Sequence, residues 1–295
     1  MTPAASRSRW QSSALVAIAA MGWGTWPFFL RHAEEASPVH PAIEATASVV
    51  ALTLLAALCA SRDRVRVRAT PRDWAMIAVL GVCDALNVVF FFAAYQRTSV
   101  AIAVLTHYLT PTLVALAAPL VLSERWTVRT LLSVAVSSLG LVLLLAPWSA
   151  TRHPGDLVGA LLGAASAVCY ATNLLTAKRL VPVFSGSEMS FFHGFVAVPL
   201  LVVLVPSSAW GAVAPATAAW LLAGALVPGA VCGLLFMWGL RGVKASHASN
   251  LTLLEPLVAT LGATLALHEE LGAAALVGGG LILTGAAAAV TGESP

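Results

Sequence analysis

The sequence predicts an all-α membrane protein, with ten transmembrane helices built as two inverted five-helix repeats around a central cavity. Three observations carry that expectation. Of the 295 residues, 59% are hydrophobic and only 10% are charged, whereas a soluble domain carries about 25% charged residues. Ten apolar stretches are each long enough to cross a hydrocarbon core about 30 Å thick. And the chain is written twice: VLTHYLTPTLVALAAPLVLSE, from Val104 to Glu124, returns as SNLTLLEPLVATLGATLALHE, from Ser249 to Glu269. Setting Pro111 on Pro256 also sets Glu124 on Glu269, both pairs 145 residues apart. Paired hydrophobic halves, each interrupted by proline at the matching place, mark a transporter whose site lies between the halves.

The first span is expected over 12–30. Polar Ser12 and Ser13 open it, and too little apolar chain precedes Ala17-Ile18-Ala19 for a cleaved signal, so it is read as retained. The second (41–60) and third (74–95) flank a loop that holds Arg62, Arg64, Arg66, Arg68 and Arg72. The fourth (101–122) contains Pro111, and the fifth (127–146) follows Glu124. Beyond a Pro- and Gly-containing junction at 147–156 come the sixth (157–177), with Gly159 and Gly163, and the seventh (188–205). The eighth (217–240) and ninth (245–267, containing Glu255-Pro256) precede the tenth (271–290), which holds Gly278-Gly279-Gly280 and Gly285. The small residues suit close helix packing, within the chain or on a dimer face, so monomer and homodimer both remain open.

The loops are too short for a separate folded domain, which leaves two repeats, 12–146 and 157–290. Five spans per half is odd, so the second repeat must enter the membrane from the opposite side. A weaker trace pairs GWGTWPFFLR (22–31) with CYATNLLTAKR (169–179), two residues off the main register.

Charge supplies the orientation. Thirteen of the sixteen Lys and Arg fall in the segments that are inside if the N-terminus is cytoplasmic; only Arg31, Arg97 and Arg152 fall outside. The positive-inside rule therefore places both termini in the cytoplasm. The net charge of +3 does not indicate a nucleic-acid partner, since these cations do not form the continuous surface that phosphates require. Cys59, Cys83, Cys169 and Cys232 sit in or at the edge of spans without metal-ligand spacing and read as small core residues.

The Trp23-Gly24 pair, the Pro111…Glu124 segment and the Glu255-Pro256…Glu269 segment resemble the drug/metabolite transporter superfamily, and within it the EamA-type permeases. The resemblance covers about residues 12–290. It implies a basket of ten helices whose cavity is lined by the first, third, fourth, sixth, eighth and ninth, exporting amino acids and related metabolites, sometimes drugs or aromatic compounds. The first copy departs at Leu109-Thr110-Pro111, with no acid before the proline, so the halves are not expected to contribute equally.

Asp84 stands near the middle of the third span, where inserting a carboxylate costs about 2.5–3.5 kcal/mol unless a cavity or partner receives it. It reads as a substrate- or proton-binding group, or as a structural hydrogen-bonding one, with Asn87 and Phe91 on the same face. Glu255 is mid-span in the ninth, directly before Pro256, which frees the Thr252 carbonyl and disfavours helical geometry at Glu255. His107 lies one turn before Pro111 and is the side chain type most easily moved across neutral pH. Trp23, Trp26, Tyr95, Tyr170, Asn173 and Trp238 lie in the implied lining helices, where aromatic faces suit apolar or cationic groups. Pro111 and Pro256 are read as equivalent hinges. Glu124 and Glu269 are expected to be structural, each at the start of a helix whose dipole favours a negative charge; Glu44 and His193, on spans the resemblance places peripherally, are expected to be packing groups.

No Lys or Arg stands mid-span, which disfavours phosphorylated substrates, and no zinc-protease motif, nucleophile elbow or phosphate loop is present: His268-Glu269-Glu270-Leu271 lacks the second histidine. The expectation is an inner-membrane permease of the bacterial plasma membrane, without cofactor, metal or enzymatic activity, that exports an amino acid or related amphipathic metabolite by alternating access. Protons are a candidate coupling ion, with facilitated diffusion as the alternative. A multidrug or quaternary-amine exporter is the rival within transport; a membrane enzyme or a non-transporting sensor is the rival of another class.

Overall fold

The structure, a computed structural model, describes residues 8–291 except 38, 64, 66, 126, 150–153, 206, 210, 212–213 and 268–271. Among the described residues there is no strand, and nine helical stretches are long and apolar enough to cross a membrane. The tenth is the pair Ala245–Leu251 and Leu254–Leu267, whose first half carries Ser246, His247, Ser249 and Asn250. The chain is thus an all-α, ten-helix membrane protein. Its outside is apolar: Leu120, Val203 and Leu265 are each 79% exposed, a surface that water would not tolerate and lipid matches.

Six spans run as single helices: the second Pro41–Asp63, third Pro71–Tyr95, fifth Val128–Leu145, sixth Asp156–Leu180, seventh Gly186–Leu204 and tenth Ala273–Thr291. Start signals are local. Thr70 with Asp73 and Ser185 with Glu188 form capping boxes that satisfy otherwise orphaned backbone donors. Four spans are interrupted. The first divides into Arg9–Trp23 and Trp26–Ala36, the fourth into Val100–His107 and Thr110–Leu122, and the ninth as above. In each, a proline (Pro27, Pro111 or Pro256) stands two or three residues past the break, where the missing amide and its ring prevent the ladder from continuing. The eighth runs Pro215–Gly224, then a π-helical turn over Ala225–Val231 around Pro228, then Cys232–Leu240.

The expected unwinding at Glu255 is displaced. Glu255 is helical and its amide donates to the freed Thr252 carbonyl at 3.0 Å, so the break falls at Thr252-Leu253. At Pro111 the freed His107 carbonyl accepts instead from the Thr110 hydroxyl, at 2.8 Å.

Apolar burial discriminates little when lipid tails are as apolar as leucine, so small residues set the packing. The fifth and tenth spans meet where Gly140 and Gly278 cross: a methyl on Gly278 would lie 2.5 Å from the Gly140 carbonyl. Gly159 and Gly163 seat the sixth span on Thr98 and Thr106 of the fourth region, and Gly285 receives Ser137, whereas Gly280 faces open space. Glu124 caps a helix as expected, but a different one. Its carboxylate accepts from the Ala245 amide (2.7 Å) and the Ser246 hydroxyl (3.0 Å), at the start of the ninth span, while Thr127 caps the fifth. Glu269, His268 and the 268–271 segment lie outside the described residues.

Candidate functional site

A cavity of about 290 Å³ lies among the spans, within reach of the range of small-molecule sites. Of the residues singled out in the sequence, Trp23, Asp84, Asn87, His107, Asn173 and Glu255 line it, with Trp26, Phe91 and Tyr170. Tyr95 and Trp238 do not. Tyr95 is one turn beyond Phe91, their rings 4.9 Å apart and edge-on. Trp238 lies further along the eighth span, where its indole nitrogen donates to Asp63 (3.0 Å) and Ser187 (3.1 Å). It joins the end of the second span to the start of the seventh.

The lining is wider than the resemblance implies. The second span contributes Ala45, Ser48, Val49 and Leu52, and the seventh contributes Ser190 and His193. The reason is close approach. Gly229 has Ser48 where a methyl would stand, and Gly81 has the His193 carbonyl 2.6 Å from that position, so both spans reach the interior. His193 is therefore not a peripheral packing group: its Nε2 is 3.3 Å from Asp84 Oδ2. Glu44 is fully buried beside Phe29 and Gly224, and neither of its oxygens has a hydrogen-bond partner among the described residues.

Two broken spans meet at the cavity. A methyl on Gly24 would lie 2.5 Å from the Glu255 carbonyl oxygen and 2.7 Å from the Val258 Cβ. Gly24 has helical φ and ψ, so glycine is needed here for proximity, not for backbone freedom. The Trp23-Gly24 and Glu255-Pro256 motifs, far apart in sequence, are thus one contact. Trp23 packs its ring 5.1 Å from Phe236, and the Glu255 carboxyl faces the Tyr108 hydroxyl.

The third, fourth and sixth spans are joined by a polar chain. His107 Nδ1 is 2.8 Å from the Ser166 hydroxyl, which donates to Asn87 Oδ1 at 2.7 Å. With the serine hydrogen committed to Asn87, His107 carries its hydrogen on Nδ1. The imidazole stacks on Tyr170 at 5.5 Å and 9°. Asn173 Nδ2 donates to the Leu80 carbonyl at 3.2 Å. Ser48 and Ser190 are among the lining residues, but their hydroxyl oxygens are buried and have no partner among the described residues, and no Lys or Arg is among the lining residues. The arrangement offers two carboxyls and aromatic faces.

Sequence reasoning missed the π turn and the break at Gly24. Pro228-Gly229 and Pro27 were the available signals, the latter at the spacing seen in the fourth and ninth spans.

The profile of the EamA-like transporter family matches residues 11–146 and again residues 157–291. An uncharacterized transporter of Archaeoglobus fulgidus is 31% identical over 210 residues, 70% of this chain and 73% of that protein. Another, of Clostridium kluyveri, is 25% identical over 217 residues, 72% and 69% respectively. A crystal structure at 19% identity superposes with a TM-score of 0.80 over 98% of this chain and 100% of its own, a likeness of fold alone.

Proposed function

The chain belongs to the EamA-like transporter family, and we propose that it exports a small amphipathic metabolite, an amino acid or a close relative, by alternating access. The observation that carries this reading is the cavity's composition. Asp84 and Glu255 suit an ammonium group, and no fixed cation stands among the lining residues for a phosphate. The volume of about 290 Å³ accommodates one such molecule. On this reading the repeats 12–146 and 157–290 rock around the cavity, and both termini are cytoplasmic in a bacterial inner membrane, as the uneven distribution of Lys and Arg supports.

The rings of Trp23, Trp26, Phe91, Phe92, Tyr170 and Phe236 favour a second reading, a quaternary-amine exporter, because aromatic faces attract cations. Purified protein in liposomes separates the two. Saturable flux of labelled phenylalanine, blocked by other amino acids but not by methyl viologen, supports the first. Flux of methyl viologen with broad inhibition supports the second, and flux of neither removes both.

A further inference from the structure

Asp84 and His193 face each other across the seam between the third and seventh spans, and their geometry fixes a proton count. His193 Nδ1 is 3.1 Å from the Met189 carbonyl oxygen, an atom that only accepts, so Nδ1 carries a hydrogen. The other ring nitrogen, Nε2, lies 3.3 Å from Asp84 Oδ2. A neutral imidazole with its hydrogen on Nδ1 presents a lone pair at Nε2, and an ionised carboxylate presents only lone pairs. These two atoms repel at that distance unless a proton stands between them. Whether it is drawn on nitrogen or on oxygen, that proton belongs to the pair. With it the pair is neutral; without it the pair holds one negative charge inside the membrane, where a bare charge is costly.

Access is unequal. The His193 side chain is 5% exposed and that of Asp84 26%, so Asp84 is the more accessible member of the pair. Around it, Cys83 is its own neighbour in sequence, Tyr170 of the sixth span lies within its electrostatic reach, and Cys169 of the same span stands near Cys83. Glu255 of the ninth is engaged with Tyr108 of the fourth, and His107 is committed to Ser166. With no Lys or Arg in the lining, no fixed cation replaces the proton when it leaves. A cationic group on the substrate is the remaining counter-charge, and it competes with the proton for the same carboxylate.

We propose that the Asp84–His193 pair is a proton-exchange site. It gives up its proton as a positively charged group of the substrate binds Asp84, and takes one up when the substrate departs. This rests on the transporter reading above. Each substrate molecule carried one way is matched by one proton carried the other way, and no covalent bond to the substrate forms or breaks.

The test uses the full chain in liposomes with a trapped pH-sensitive dye and two probes, labelled phenylalanine and methyl viologen. Entry of a carried probe is expected to alkalinise the lumen. Protons moved per probe molecule should fall to background in His193→Gln and in Asp84→Asn, whatever flux remains. Flux in the wild type with no proton movement overturns this proposal and leaves the transporter reading intact. Flux of neither probe counts against the transporter reading for those substrates, and the proton count is then decided without a substrate. In nanodiscs at neutral pH, nitrogen-15 spectra of labelled histidine or the infrared band of a protonated carboxyl should show one signal lost in both variants. Absence of both signals from the wild type overturns the proposal.

Discussion

Replacing Gly24 by alanine tests whether the two broken spans need to touch. The added methyl would stand 2.5 Å from the Glu255 carbonyl oxygen and 2.7 Å from the Val258 Cβ, both well inside van der Waals contact. Neither neighbour is the free end of a flexible side chain, so the spans must separate. Overpacking of this kind costs about 1–3 kcal/mol. Gly262 provides the control, because it lies on the same ninth span with open space where its methyl would go. There, alanine should gain up to about 1 kcal/mol of helix propensity. The two variants should therefore differ by about 1–4 kcal/mol, read as a lower apparent melting temperature for Gly24→Ala than for Gly262→Ala in the same detergent. Transport should fall in Gly24→Ala alone, since its displacement moves Trp23 and Glu255 apart at the cavity wall. Equal melting of the two variants, with normal transport in both, would refute the claim that the motifs form one contact.

Three further perturbations follow from the cavity and its orientation. Asp84→Asn and Glu255→Gln keep shape and remove charge; transport should fall at least about tenfold, or about 1.4 kcal/mol, at unchanged expression, and normal transport in both would move the site to the aromatic residues. Pro111→Ala and Pro256→Ala restore an amide beside the breaks in the fourth and ninth spans and should slow turnover more than they weaken binding; lost binding with normal maximal rate would make the prolines shaping residues instead of hinges. Cysteine at Gly211, in a background lacking the native cysteines, should react with an impermeant thiol reagent from outside cells, while cysteine at Arg68 should not; the reverse pattern would invert the topology.

Membrane thickness made the spans legible, because an apolar length is fixed by the solvent it must cross. The second span was expected to begin at residue 41 and the fourth to end at 122, and both do. Proline made the breaks in the fourth and ninth legible for a similarly local reason. Depth and facing were harder to read. Tyr95 follows Asp84 by eleven residues, which places it about 16 Å further along the helix axis, so membership of a lining helix does not bring it to the cavity. Trp238 is misplaced by facing: Phe236 and Met237 beside it line the cavity, while its ring turns to Asp63 and Ser187. His193 was set aside because the resemblance places the seventh span at the periphery, and nothing local in the sequence says which neighbour it meets. That neighbour is Asp84, reached because Gly81 lets the seventh span lie against the third, a tertiary contact with no local signature.

The halves are related in sequence yet unequal in backbone. The first span breaks at Gly24-Thr25 while its counterpart, the sixth, runs unbroken from Asp156 to Leu180. The third is continuous while its counterpart, the eighth, carries the π turn. Every interrupted span contributes to the cavity: Trp23 from the first, His107 from the fourth, Pro228 and Gly229 from the eighth, Glu255 from the ninth. The continuous fifth and tenth contribute nothing to it and are locked together through Gly140, Gly278 and Gly285. Irregular backbone inside a membrane is tolerated where protein or a cavity surrounds it, which explains why the breaks gather there. Bending at these points can change the cavity's shape without disturbing the scaffold behind it. The carboxyl of Asp84, by contrast, sits on an unbroken helix, so its distance to His193 depends on how the third and seventh spans slide together and not on a local hinge.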